Sequence, residues 1–187
     1  EGGSTESVIH CEVERVGDVD RLRTLESDLR SSLQDVVRAT NDFIPMLGAV
    51  DQVVAAVREN GSDLPDRAAE FEEIEDFLLW LKDGGFVFLG YRGYDLITDE
   101  DGGEQSIVVR PGSGLGLLRN EGDSRFAVPV PVSDLSHGMR ELALKGPVLI
   151  VNKTNAESTV HRRVRMDYVG VKKLDASGSV VGEYRFI

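Results

Sequence analysis

The 187 residues are enough for one or two domains with a sizeable core. A formal net charge of -12 disfavours nucleic acid and anionic membrane surfaces as partners, since both repel an acidic body. The single cysteine, Cys11, excludes an intramolecular disulfide, and no apolar run approaches the roughly 20 residues of a membrane helix. Cytoplasm is the expected location. The chain has no initiating methionine and closes on Arg185-Phe186-Ile187 inside a strand-like run, so a piece of something longer is expected. Charge is uneven: residues 1–110 carry 25 acidic and 10 basic side chains, residues 111–187 carry 8 and 11. The acidic part is either a solvated helical face or a surface that docks on a basic patch elsewhere.

Residues Glu6–Arg15 alternate, with Ile9, Cys11 and Val13 on one face, which predicts a strand with one wet side. Asp18 is a helix N-cap. Leu22, Leu25, Leu29, Leu33, Val36 and Val37 then recur at three- and four-residue steps, which predicts a helix over Val19–Thr40. A strand and helix of this kind read as the last βα unit of a larger sheet domain. A second helix is expected from Pro45 to Glu59, striped by Met46, Val50, Val53, Val54 and Val57 and stopped by Asn60-Gly61. A third spans about Asp66–Lys82, with Phe71, Ile74, Phe77, Leu78 and Leu81 on its apolar side.

The period then changes to two. Phe86–Ile97 is a strand, Asp99–Gly103 a turn, and Gln105–Arg110 pairs back. Pro129 and Pro131 make Phe126–Val132 an edge or connector, because proline cannot donate to a ladder. Ser133 is placed to cap a helix over Asp134–Lys145. Three antiparallel strands close the chain, beginning at Pro147, Arg163 and Ser179, with the hairpin turn Asp175-Ala-Ser-Gly178 between the last two. In the middle one, Met166, Tyr168, Gly170 and Lys172 alternate with Asp167, Val169, Val171 and Lys173. Neither face is purely apolar, so partial cover on both sides is expected. The fold class is α+β, an antiparallel sheet with helices on one side.

No catalytic motif stands out. Gly112-Ser-Gly-Leu-Gly116 has the wrong spacing for a dinucleotide loop and opens no helix, so it reads as a structural glycine loop. His10, His137 and His161 lack partners at metal-ligand spacing, so no metal is expected. Glu70, Glu72, Glu73, Glu75 and Asp76 read as a solvated helix face. Tyr91, Tyr94, Tyr168 and Trp80 read as core or interface aromatics. The one basic, polar constellation is Lys153, Asn155, Ser158, Thr159, His161, Arg162, Arg163 and Arg165. It can receive a carboxylate or phosphate, since guanidinium forks match such anions. The alternative is an exposed loop whose arginines pair with neighbouring carboxylates.

Three strings carry a resemblance. The first is Glu6–Arg15 with Asp35-Val-Val-Arg38. The second is Phe77–Asp95 followed by Gly112–Gly116. The third is Lys153–Arg162 running into Met166–Asp175 and Gly182–Phe186. Together they resemble the N-terminal regulatory segment of the large NAD-dependent glutamate dehydrogenases of bacteria. The resemblance implies that residues 1–40 are the end of an ACT-like domain, 41–82 a helical linker, and 83–187 a PAS-like domain. It implies a parent that oxidises L-glutamate to 2-oxoglutarate and ammonia, with NAD bound in a distant catalytic domain. No catalytic or cofactor residue of that family matches this chain. The implied partners are other domains and subunits of a homo-oligomer, with a small anionic or amino-acid effector at the basic constellation. A free-standing PAS-type sensor is the other reading kept open.

Overall fold

The computed structural model describes residues 7–98 and 103–187. Glu6 and most of the expected turn at Asp99–Gly103 lie outside those residues. Among the described residues, four α-helices and seven strands occur in the order α1(Val19–Asn41), α2(Phe43–Asp63), α3(Ala68–Trp80), β1(Gly90–Thr98), β2(Gln105–Val109), β3(Leu115–Gly116), β4(Val130–Pro131), α4(His137–Lys145), β5(Leu149–Glu157), β6(Arg165–Leu174) and β7(Val180–Phe186). The strands form one antiparallel sheet in the order β4-β2-β1-β7-β6-β5, with β3 paired to β1. The three closing strands adopt the expected succession, and β4 lies at the edge where its prolines direct it.

The two sheet faces are covered differently. Val169, Val171, Phe186 and Tyr91 point to one face and pack against Met46, Val50 and Val53 of α2 and Phe71, Ile74 and Leu78 of α3. Segment 41–82, expected as a linker, thus shares one core with the sheet. On the other face, Tyr94 and Val109 pack with Phe126 and Leu135. There α4 stands beside Tyr94, Tyr168 and Arg185, so helices are not confined to one side. The cause is the mixed strand pattern, which leaves aromatic and aliphatic groups on both faces.

Four boundaries move for identifiable reasons. Residues 7–18 form neither strand nor helix, and Val8, Ile9 and Val13 are exposed. A strand requires a ladder partner, and none of the described strands pairs with this segment. Helix α2 runs past Asn60-Gly61 to Asp63. Asn60 is buried and its Nδ2 donates to the Leu174 carbonyl, while Gly61 lies so close to Phe71 that a Cβ there would sit 3.3 Å from Phe71 Cβ. The glycine serves helix packing rather than termination. Strand β1 starts at Gly90, although Leu89 already donates to the Ile187 carbonyl at 2.8 Å. Helix α4 is capped by Ser136, not Ser133, because buried Leu135 must first reach the sheet.

Helix α1 forms where its periodicity predicts, capped by Asp18, whose Oδ1 accepts the Asp20 amide at 2.9 Å. Its apolar stripe stays exposed, with Leu29 and Leu33 at 57% and 60%. Its C-terminal end is anchored, because Asp42 at the α1–α2 joint accepts the Gly116 amide at 2.7 Å and the Arg119 guanidinium.

Candidate functional site

The basic constellation lies on the β5–β6 hairpin, whose register shifts between Lys153 and Glu157. The structure divides it. Lys153 Nζ pairs with Asp167 at 2.5 Å, and Asn155 is exposed. Ser158 is buried, and its hydroxyl donates to the Val160 carbonyl at 2.6 Å, so it shapes the loop. Thr159 Oγ1 donates to Asp35 Oδ2 of α1 at 2.7 Å. Arg163 pairs with Glu157 at 3.3 Å. Among the described residues, Arg162 and Arg165 have no carboxylate partner, and both are exposed.

Thr159, His161, Arg162 and Arg163 line an open groove against Asp28 and Ser31 of α1. Arg162 also borders a second groove with Arg165, Phe86 and Ile187. His161 sits at φ 64, the left-handed region that a non-glycine residue rarely adopts. The first groove therefore offers one unpaired guanidinium, Arg162, beside the paired Arg163. It can receive an anion at its rim, although Asp28 opposes negative charge at its α1 wall.

The glycine loop is occupied by the chain itself. Glu121 accepts the Gly112 and Gly114 amides at 3.2 and 3.0 Å, and Asp42 accepts that of Gly116. Gly116 has φ 59, and a Cβ there would stand 2.2 Å from the Leu89 carbonyl oxygen. Its amides point at carboxylates, which agrees with a structural loop and leaves no anion cradle.

A separate, partly open cavity of about 120 Å³ lies between α4 and the sheet. Tyr94, Phe126, Met139, Leu142, Tyr168 and Arg185 contribute to its wall, and Arg162, Arg163 and Arg165 do not. Arg185 stacks over the Tyr94 ring at 4.3 Å and the Tyr168 ring at 5.0 Å. Its Nη2 donates to Glu183 Oε1 at 3.0 Å, and Tyr168 Oη donates to the same oxygen at 2.5 Å. Burial disfavours the Arg185 charge, but Glu183 beside it prevails and its pKa is raised. Burial, and then the Glu183 charge, push the Tyr168 hydroxyl pKa upward. Sequence reading placed Tyr94 and Tyr168 in the core or at an interface but did not join them to Glu183 and Arg185. The available signal was the two-residue spacing of Glu183 and Arg185 on one face of a strand.

This arrangement defines an α+β module with grooves beside the basic β5–β6 loop and a mainly apolar cavity beneath α4. Among the described residues, no group of three or more histidine, cysteine or acidic side chains could hold a metal ion. No helix among them is long and apolar enough to cross a membrane. No family model matches the chain. It is 30% identical over 185 residues, 98% of its length, to the NAD-specific glutamate dehydrogenase of Pseudomonas aeruginosa. It is 30% identical over 97% of its length to that of Halomonas elongata. It is 28% identical over 64% of its length to that of Mycobacterium tuberculosis. The chain is a homologue of one segment of the NAD-specific glutamate dehydrogenases, and it spans about 11% of the length of the first two relatives.

Proposed function

We propose that this chain is a non-catalytic regulatory and assembly segment of an NAD-dependent glutamate dehydrogenase. The observation that carries the reading is its similarity, along nearly its whole length, to about a tenth of such enzymes. On this reading the parent oxidises L-glutamate to 2-oxoglutarate and ammonia in the cytoplasm, and NAD binds in a catalytic domain elsewhere. Residues 1–40 are the end of an ACT-like domain, 41–82 a helical connection and 83–187 a PAS-like domain. The exposed stripe of α1 faces other domains or subunits of a homo-oligomer. The groove beside Arg162, Arg163 and Arg165 receives a small anionic or amino-acid effector.

Two measurements test this. Glutamate-dependent reduction of NAD by the 187-residue chain is expected to be absent, and turnover would overturn the reading. Thermal unfolding with amino acids, 2-oxoglutarate and nucleotides tests the effector site. A ligand at 100 times its dissociation constant adds about 2.7 kcal/mol of stability. The shift is expected to disappear in Arg162→Ala. A shift unchanged in that variant removes the groove from the proposal.

A further inference from the structure

We propose that the cavity between α4 and the sheet binds a short aliphatic α-amino acid, held as a zwitterion by Arg185, Tyr94 and Glu183. The inference names a ligand for the segment and rests on the regulatory reading above. Its site is distinct from the polar groove on the β5–β6 hairpin.

The polar end of the cavity has unused hydrogen-bonding capacity of both signs. Arg185 spends Nε and one Nη2 hydrogen on Glu183 Oε1, and one Nη1 hydrogen on Tyr94 Oη at 3.2 Å. A guanidinium has five N–H donors, so two remain. Glu183 accepts from Arg185 and Tyr168 through Oε1, which leaves Oε2 as a second acceptor. Tyr94 Oη accepts from Arg185 and keeps its own hydrogen. A carboxylate is matched by the spare Arg185 and Tyr94 donors. An ammonium on the adjacent carbon is matched by Glu183 Oε2.

Charge balance selects the same ligand. Arg185 and Glu183 are paired, so together they carry no net charge. A plain anion would be opposed by Glu183, and a plain cation by Arg185. A hydrocarbon would expel water from these groups and offer nothing in return, which costs free energy. A zwitterion meets both charges. The pair keeps 28% and 19% of its side-chain surface accessible, which places it at the mouth.

The rest of the wall is mainly apolar, with Leu96, Ile107, Phe126, Leu135, Met139 and Leu142, and its one further carboxylate, Asp95, is held by Arg110 and Lys173. A cavity of roughly 150 Å³ lined by aliphatic groups holds benzene. At about 120 Å³ this one admits a side chain of a few carbons. Helix α4 has no buried residue, and its cavity-lining Met139 and Leu142 are themselves exposed, so it forms a thin wall that can part for entry.

The test is calorimetric titration of the 187-residue chain with L-valine, beside 2-hydroxyisovalerate and isobutylamine. Each analogue lacks one of the two charges. Saturable binding of L-valine is expected, with each analogue at least roughly tenfold weaker, as loss of a charge-assisted hydrogen bond implies. Glu183→Gln should weaken L-valine roughly tenfold without weakening 2-hydroxyisovalerate, whose charge Glu183 opposes. Leu142→Trp fills the cavity from the exposed helix. It should abolish binding at an unchanged melting temperature. No saturable binding of L-valine, equal binding of either analogue, or full binding by Leu142→Trp overturns the proposal. None of these results bears on turnover of glutamate with NAD, which tests the regulatory reading separately.

Discussion

Asp42 and Arg119 form an ion pair in which the carboxylate is buried and the guanidinium half exposed. Asp42 also accepts the Gly116 amide, so one side chain ties the α1–α2 joint to the β3 turn. Asp42→Ala leaves that amide without its acceptor and frees Arg119. A loss of about 1–3 kcal/mol is expected from equilibrium denaturation in urea. Arg119→Ala should cost less, since the Gly116 bond survives.

Acid sensitivity follows from the same pair and from Asp95. Burial works against the Asp42 charge, but Arg119 and the Gly116 amide outweigh it and hold the carboxyl below its ordinary value of 3.8. For Asp95, the Arg110 hydrogen bond lowers the pKa more than burial raises it. A depressed folded-state pKa stabilises fully above the unfolded value and loses that contribution as pH falls through the folded one. Stability should therefore hold down to about pH 4 and decline below it. The double variant Asp42→Asn/Asp95→Asn should show a flatter acid limb. An unchanged slope would refute the assignment.

Phe186 and Leu29 separate core from unpartnered face. Phe186 is fully buried, 5.6 Å from Phe88 and 4.9 Å from Tyr91 between ring centroids. Phe186→Ala should cost about 3–5 kcal/mol. Leu29 is exposed on α1, so Leu29→Ala should change stability by less than about 0.5 kcal/mol. Denaturant midpoints of the two variants check both figures.

The position of α2 was legible because its stripe is set by what it buries. The residues named for α2, from Met46 to Val57, are all in the core. The same logic misled at Glu6–Arg15, where alternation is real but no described strand supplies a ladder partner. Pattern reports which face is apolar, not whether anything meets it. The basic loop was legible as a cluster, but its pairing with Asp35 of α1 joins residues 124 positions apart. Nor could spacing along the chain show that Tyr94, Tyr168 and Arg185 meet, since three separate strands bring them together.

Lys172 ties α4 to the sheet. Its Nζ donates to the Gly146 carbonyl at 2.8 Å, beyond the last turn of α4, and burial lowers its pKa. Lys172→Met removes that donor and keeps the aliphatic stem. Amide hydrogen exchange in His137–Lys145 should accelerate, while exchange in the buried strand β6 stays slow. Equal acceleration in both would mean that Lys172 supports the whole sheet rather than this helix.

His161 holds a left-handed backbone at φ 64 at the rim of the polar groove. That conformation costs an L-residue roughly 1–2 kcal/mol, while glycine adopts it freely but loses more chain entropy on folding. His161→Gly should therefore alter stability by less than about 1 kcal/mol. His161→Val, with a branched Cβ, should destabilise by about 1–2 kcal/mol. The glycine variant also removes the imidazole while keeping the loop's shape. An anion-dependent thermal shift that survives His161→Gly and vanishes in Arg162→Ala would assign recognition to the guanidinium alone. Loss in both variants would make the imidazole a second contact.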